Sequence, residues 1–441
     1  MKSDWMKTLS ALARIAAGIT LTLTISCSSS QPNFEAPYKA NVISFTPRTS
    51  ASDEAWTIDT KELTTLEQPS KVQGKYFEIV TGASIKIDSS TGSLTVATST
   101  NHDRSDLRLE NKNGVIIARD TLSLYALSAF HSFEQLFKQL IQVIPVSGEK
   151  LFDENGERLK VFLEPSLVER IELVSTVLTP KTNAAFNPER NDFYLFKSSN
   201  VEKIPLAANY KVIAHEFGHL IFKKSFDAGR MEKCQGEGEQ EFSERKSDKN
   251  FAGRWGLEYS ISGINEGFAD FISYMFTRST DPLKDAFIAS YQGAQDDSRS
   301  LEGTAFTFND LISDEVCSGR FYCIGTLFAR ALYQIAKNYE SQPELITQFS
   351  YRVYATMTQV RELFKQSPFL DFLPTPSDTI AKCVRSPQIT LPYDGSVLSA
   401  FLAAFISAYP DEKEKNALCA SFEQLFGELG FKKETRRVCT L

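Results

Sequence analysis

The sequence predicts an α+β protein: a small β-rich domain, then a mixed-to-helical domain whose C-terminal half is helical. Three patterns predict it. Between residues 42 and 119, runs such as Lys75-Tyr76-Phe77-Glu78-Ile79-Val80 and Gly92-Ser93-Leu94-Thr95-Val96 alternate apolar and polar side chains. They are separated by Gly, Asn, Asp and Ser, the period-two signature of half-buried strands between turns. Behind Asp120, a suitable helix cap, apolar residues recur at three and four through residue 143. From residue 263 onward most segments carry that helical period again. At 441 residues, 42% hydrophobic and 23% charged, the chain is long enough to bury a sizeable core. The net charge of -7 is mild, and no basic cluster interleaves with aromatics, so no nucleic-acid partner is expected.

Residues 1–26 carry Lys2, Lys7 and Arg14, then the apolar run from Ile15 to Ile25. That run is too short to span a bilayer and has signal-peptide proportions. Asp4 is unusual in a basic leader, which admits Met6 as the start. The segment Leu23-Thr24-Ile25-Ser26-Cys27, followed by three serines, resembles the lipobox of bacterial lipoproteins, with Thr24 where leucine is usual. The resemblance implies a mature chain lipidated at Cys27 and tethered by residues 27–41 to a bacterial envelope membrane. Ser28 in place of Asp points to the outer membrane. The alternative is a secreted protein cleaved nearby. An even six cysteines then remain, which in an exported chain suggests three disulfides among fifteen connectivities. Cys317 and Cys323, enclosing five residues, are expected to pair.

After the helix at 121–143, Leu159 to Leu163 reads as a strand and opens the second domain, residues 120–441. A further strand is expected at 191–196 and a helix at 210–225, followed by a polar, charge-dense surface loop at 227–254. Helices are expected at 263–277, 323–339, 344–365, 396–408 and 412–429, which makes residues 301–441 largely helical.

The chemistry sits on two of these helices. His215-Glu216-Phe217-Gly218-His219 places two imidazoles four residues apart, hence on one helical face. A chance HExxH is common enough that alone it proves little. Here the chain has four histidines and spends two on this helix, whose neighbours Val212, Ile213, Ala214, Leu220, Ile221 and Phe222 would bury it. Buried imidazoles without partners are costly, and a metal satisfies them. Asn265-Glu266-Gly267-Phe268-Ala269-Asp270 repeats the spacing of four with carboxylates. Glu266 is then the third ligand, and Asp270 the carboxylate for a ligand's far ring nitrogen. The expected metal is Zn2+.

These stretches are similar to the gluzincin zinc metallopeptidases of the thermolysin and fungalysin kind. The likeness extends to Gly256-Leu257-Glu258-Tyr259, then Ser262-Gly263-Ile264-Asn265-Glu266 and Asp270, and covers roughly residues 120–339. It implies a thermolysin-like metallopeptidase domain acting on peptides or proteins. Residues 183–188 resemble the family's edge strand, which makes Asn183 a substrate contact. Residues 296–301 resemble the segment whose arginine grips a substrate carbonyl, here Arg299. Residues 319–325 resemble the loop that holds the family's histidine donor. No histidine stands there, and Tyr322 or Arg320 is left to replace it, unless both are ordinary loop residues. The family's N-terminal propeptides offer one reading of residues 42–119, a retained inhibitory or chaperone region. With three protein ligands, zinc keeps a fourth position for water, whose pKa falls to about 7. Glu216, turned about 100° from His215, is the expected general base. Tyr259, with Tyr322 in reserve, is the expected hydrogen-bond donor to the oxyanion. Two rivals stand beside this reading: an inactive binding or scaffolding lipoprotein stabilised by zinc, and a structural protein whose HExxH is coincidental.

Overall fold

The computed structural model describes residues 37–45, 56–87, 94–97, 107–144, 158–171, 174–178, 184–188, 190–197, 204–226, 257–283, 299–302, 321–366, 396–430 and 433–439. The protein is mixed α+β, with three mixed sheets and eight helices among the described residues. None of those helices is long and apolar enough to cross a membrane.

The first sheet runs in the order β2 (Trp56–Leu63), β1 (Tyr38–Phe45), β9 (Val115–Ala118), β8 (Leu109–Lys112). Its β8–β9 hairpin turns on Asn113 and Gly114 at φ 55° and 81°, the pair of positive angles that a two-residue loop requires. The second sheet runs β13 (Ala184–Asn187), β14 (Asp192–Leu195), β10 (Leu159–Leu163), β5 (Phe77–Thr81), β4 (Gln73–Gly74), β3 (Leu66–Gln68). The third is β12 (Val174–Leu178), β11 (Ser166–Ile171), β6 (Ser84–Ile87), β7 (Leu94–Ala97).

The strand pairing crosses the boundary expected at Asp120 between a β-rich domain at 42–119 and the second domain. β5 lies parallel to β10, with Phe77 opposite Leu159 and Ile79 opposite Val161. The two chains continue side by side into the third sheet, where β6 runs parallel to β11. N-terminal strands thus complete the sheet to which β10 and β14 belong. All described residues fall within one unit, Glu35–Leu441.

Helix α1 (Thr121–Val143) starts where the sequence places it, since the Asp120 carboxylate accepts from the Ser123 backbone N–H at 2.7 Å. Its buried stripe of Phe130, Phe133 and Phe137 packs on the second sheet: the Phe133 ring lies 5.4 Å from Phe77 on β5 and 4.8 Å from Phe193 on β14. Helix α2 (Tyr210–Ser225), capped by Asn209 accepting from Val212 N–H, joins that cluster through Phe217, whose ring stacks 6.4 Å from Phe193. Two residues are about 200° of helix, so turning Phe217 into the core turns His215 and His219 the other way.

Helix α3 (Leu257–Thr277) begins six residues before the expected 263. Gly263, which reads as a boundary, lies inside it at a close crossing with helix α4 (Phe321–Ala336): a Cβ added to Gly325 would come 2.5 Å from the Gly263 carbonyl oxygen. Helices α5 (Pro343–Gln366), α6 (Ser396–Ala408), α7 (Glu412–Gly430) and α8 (Lys433–Cys439) complete the C-terminal half. Phe328 of α4 packs its ring 6.0 Å from Phe401, 5.5 Å from Phe405 and 6.0 Å from Phe422, tying α4 to α6 and α7. Glu414, buried, accepts from Tyr339, Tyr409 and Arg352, so a carboxylate in the interior is fully paired. Of the six expected disulfide cysteines, Cys419 and Cys439 bond each other and staple α7 to α8. Cys323 is also disulfide-bonded, and the partner expected for it, Cys317, lies outside the described residues.

Candidate metal centre

The site forms where α2, α3 and α4 cross. Gly218 lets α2 approach α3 closely, since a Cβ there would meet Ala269 Cα at 2.6 Å. The Ser273 hydroxyl on α3 ties the other end by donating to the Lys211 carbonyl on α2 at 2.9 Å. This approach brings one donor atom each from His215, His219 and Glu266 within 4.8 Å of one another. The two imidazole Nε2 atoms are 3.1 Å apart. Glu266 Oε2 lies 3.4 Å from His215 Nε2, and Oε1 lies 3.6 Å from His219 Nε2.

Both rings are held from behind. His215 Nδ1 is 2.9 Å from Asp270 Oδ1, and His219 Nδ1 is 2.9 Å from Asn265 Oδ1. An acceptor beside each Nδ1 favours the proton there, the tautomer that leaves the Nε2 lone pair for the cluster. Two nitrogen lone pairs and two carboxylate oxygens therefore converge on one point, an arrangement that repels itself unless positive charge sits among them. A proton is one remedy. Burial pushes the His215 imidazole down, but its hydrogen bonds to Asp270 and Glu266 prevail and raise it to about 9. A divalent cation is the other, and the set of two imidazoles and one carboxylate suits zinc. Burial pushes the Glu266 carboxyl up, but the charge of His219, the His215 hydrogen bond and Arg299 hold it well below the carboxylate range. It stays an anion, one that could serve a cation as ligand.

Glu216 is buried next to this cluster without belonging to it. Burial raises its carboxyl, while His215 and His219 pull the other way. A carboxylate made more basic beside a charge-collecting centre is the form a proton acceptor takes.

Arg299 stands in the site, 8% exposed. Its Nε donates to Asp270 Oδ2 at 3.0 Å, and one terminal nitrogen donates to Asp270 Oδ1 at 2.7 Å and to Glu266 Oε2 at 3.0 Å. The expected role at a substrate carbonyl is thereby confined to its other terminal nitrogen. Tyr322, on the first turn of α4 and 39% exposed, faces the arginine, with the guanidinium carbon 5.0 Å from its ring centre. Tyr259 falls in the first turn of α3, and its side chain lies outside the described residues, as do Asn183, Arg320 and Cys27 and the loop at 227–254. The segment 184–187 is indeed a strand, β13, at the edge of its sheet and antiparallel to β14, and it packs against α2.

Sequence reasoning gave no role to Asn265. Its signal was present, one position before Glu266 and 46 residues from its partner, but nothing in the spacing says which ring it would meet. No family model matches the chain, and no curated protein does.

Proposed function

We propose that this protein is a zinc-dependent endopeptidase with a thermolysin-like catalytic architecture, exported and anchored through a lipid on Cys27 to a bacterial cell envelope, with the outer membrane as its expected address. The observation that carries the proposal is the convergence of His215, His219 and Glu266 beside a buried Glu216, with Asp270 and Asn265 fixing the two ring tautomers. Zinc, when held by those three side chains, supplies Lewis-acid polarisation of a peptide carbonyl and a nucleophile available near neutral pH.

The chain's own groups do the rest. Glu216, its carboxyl raised by burial, accepts the proton of the attacking water on a carboxylate oxygen and returns it to the leaving amine nitrogen. Asp270 keeps the His215 proton on Nδ1, and Asn265 does the same for His219. The strand β13, at the edge of its sheet and packed against α2, is where an extended peptide would lie as an added strand. Tyr322, partly exposed at the rim, is the candidate hydroxyl donor to the oxyanion, an interaction worth about 3 kcal/mol.

The test is zinc content after metal-controlled purification of the full chain, together with cleavage of a diverse peptide mixture. Glu216→Gln keeps size and polarity but cannot take the proton. Zinc should remain near wild type while hydrolysis falls by about 10²-fold to 10⁴-fold. A protein that retains zinc and cleaves no peptide is the scaffolding lipoprotein instead, and one that retains no zinc is neither. Equal rates for Glu216→Gln and wild type would refute the chemistry assigned to this site.

A further inference from the structure

Arg299 makes contacts that a residue reserved for substrate would not need. It grips both oxygens of Asp270, and the same terminal nitrogen reaches Glu266 Oε2 at 3.0 Å. Asp270 is fully buried and also serves His215 Nδ1, so its oxygens already carry three short contacts. With neutral imidazoles, Glu266 and Asp270 alone would give the pocket two negative charges. A pocket of that kind suits hard cations such as Ca2+, Mg2+ and Mn2+, which gather many oxygens and often take two from one carboxylate. Zinc is content with few ligands and with nitrogen.

The arginine alters that balance in two ways. Its fork on Asp270 commits that carboxylate to His215 and the guanidinium, away from an ion. Its bond to Glu266 Oε2 uses a lone pair that two-oxygen ligation would need, and leaves Oε1, on the His219 side, unencumbered by the arginine. The Tyr322 ring, with the guanidinium carbon 5.0 Å from its centre, covers the group and keeps it in place.

Resting on the metal-centre part of the function proposed above, we infer that Arg299 is a positioning residue. It keeps Asp270 out of the ion's reach and limits Glu266 to one ligating oxygen, and so biases the centre toward zinc and away from oxygen-seeking cations.

The experiment compares the full-length wild type with Arg299→Gln and Arg299→Lys. Dissociation constants for Zn2+ and Mn2+ are measured by competition with a chromophoric chelator, and visible absorption is recorded with Co2+ bound. Taking the ratio of the two affinities cancels the change in local charge, because both ions are divalent. In both variants the preference for Mn2+ relative to Zn2+ should rise by about 10-fold or more, the scale on which outer contacts of metal ligands act. The Co2+ bands should weaken as the coordination number exceeds four. Lysine keeps the charge that balances Asp270, so Arg299→Lys is the variant to read where Arg299→Gln does not fold, and its single nitrogen lacks the planar fork that holds both Asp270 oxygens and Glu266 at once. A merely structural arginine would lower the melting temperature and leave the ratio and the Co2+ spectrum unchanged, which overturns the inference alone. A wild type that binds neither Zn2+ nor Co2+ overturns the metal centre and this inference with it.

Discussion

Stripping the protein of metal should expose the proton that takes its place. His215 is buried and its imidazole is raised from 6.5 to about 9, with burial opposing and the Asp270 and Glu266 hydrogen bonds prevailing. A group whose folded pKa is raised stabilises the fold fully below its unfolded pKa. That contribution is lost as pH climbs through the folded pKa. The window is therefore pH 6.5 to 9. At about 1.4 kcal/mol per pH unit, the gap between 6.5 and about 9 corresponds to roughly 3 kcal/mol. Urea unfolding of chelator-treated wild type and His215→Gln across pH 6 to 9.5 measures it as the difference between the two, which removes every other titration they share. The difference should be largest at pH 6 and decline by an amount on the order of 3 kcal/mol by pH 9. Zinc has to expel the same proton, so its apparent affinity should rise about tenfold per pH unit from neutral to 9 and then level off. A difference that stays flat between pH 6.5 and 9, or grows, refutes the account of a proton held on His215 by Asp270 and Glu266.

Glu266→Gln weakens a ligand and leaves Glu216 in place. Zinc content and activity should therefore fall together, affinity by at least about 100-fold, with partial recovery of both on adding zinc; loss of activity at full zinc occupancy would contradict the ligand role. Gly325→Ala gains about 1 kcal/mol of helix propensity, but its Cβ meets the Gly263 carbonyl oxygen at 2.5 Å and Glu266 Cβ at 3.0 Å. A net loss of about 1–2 kcal/mol in thermal or urea unfolding is expected, since overpacking against backbone has little room to relax. Cys27→Ala should move the protein from the membrane pellet to the soluble fraction on cell fractionation, and persistence in the pellet would remove the anchor from the proposal.

Local patterns were legible in the sequence and distant pairings were not. Helix α1 was readable end to end because its period and its Asp120 cap are both local, and α2 likewise through its apolar flanks and HExxH spacing. The start of α3 was misplaced because Gly263 is a poor helix former whose presence is explained only by α4 crossing beside it. Strands β11 and β12 were not marked, and the sheet order was invisible. The pairing of β5 with β10 joins Phe77 to Leu159, and β6 with β11 joins Ser84 to Ser166, partners that no short window contains. In the site, the pairing of His215 with His219 and of Glu266 with Asp270 on single helical faces followed from spacings of four on two helices. The contact of Arg299 with Glu266 spans 33 residues and starts from a segment with no helical register, so the sequence could suggest the residue but not its partner.

The precision of the centre thus depends on residues that carry no donor atoms at all. Helices usually pack with axes 8–10 Å apart, the spacing set by the side chains at the contact. Here the contacts are Gly218 on Ala269 between α2 and α3, and Gly325 on Gly263 and Gly267 between α3 and α4. Three of them adjoin a functional side chain: Gly218 beside His219, Ala269 beside Asp270, Gly267 beside Glu266. Backbone approach of Gly218 to Ala269 is what lets a glutamate on α3 come within 3.4 Å and 3.6 Å of two imidazoles on α2 while Asp270, one turn on, lies behind the first ring. A chain with the same HExxH and the same carboxylates, but with a larger residue at Gly218, would hold α2 and α3 too far apart to bring His215, His219 and Glu266 together.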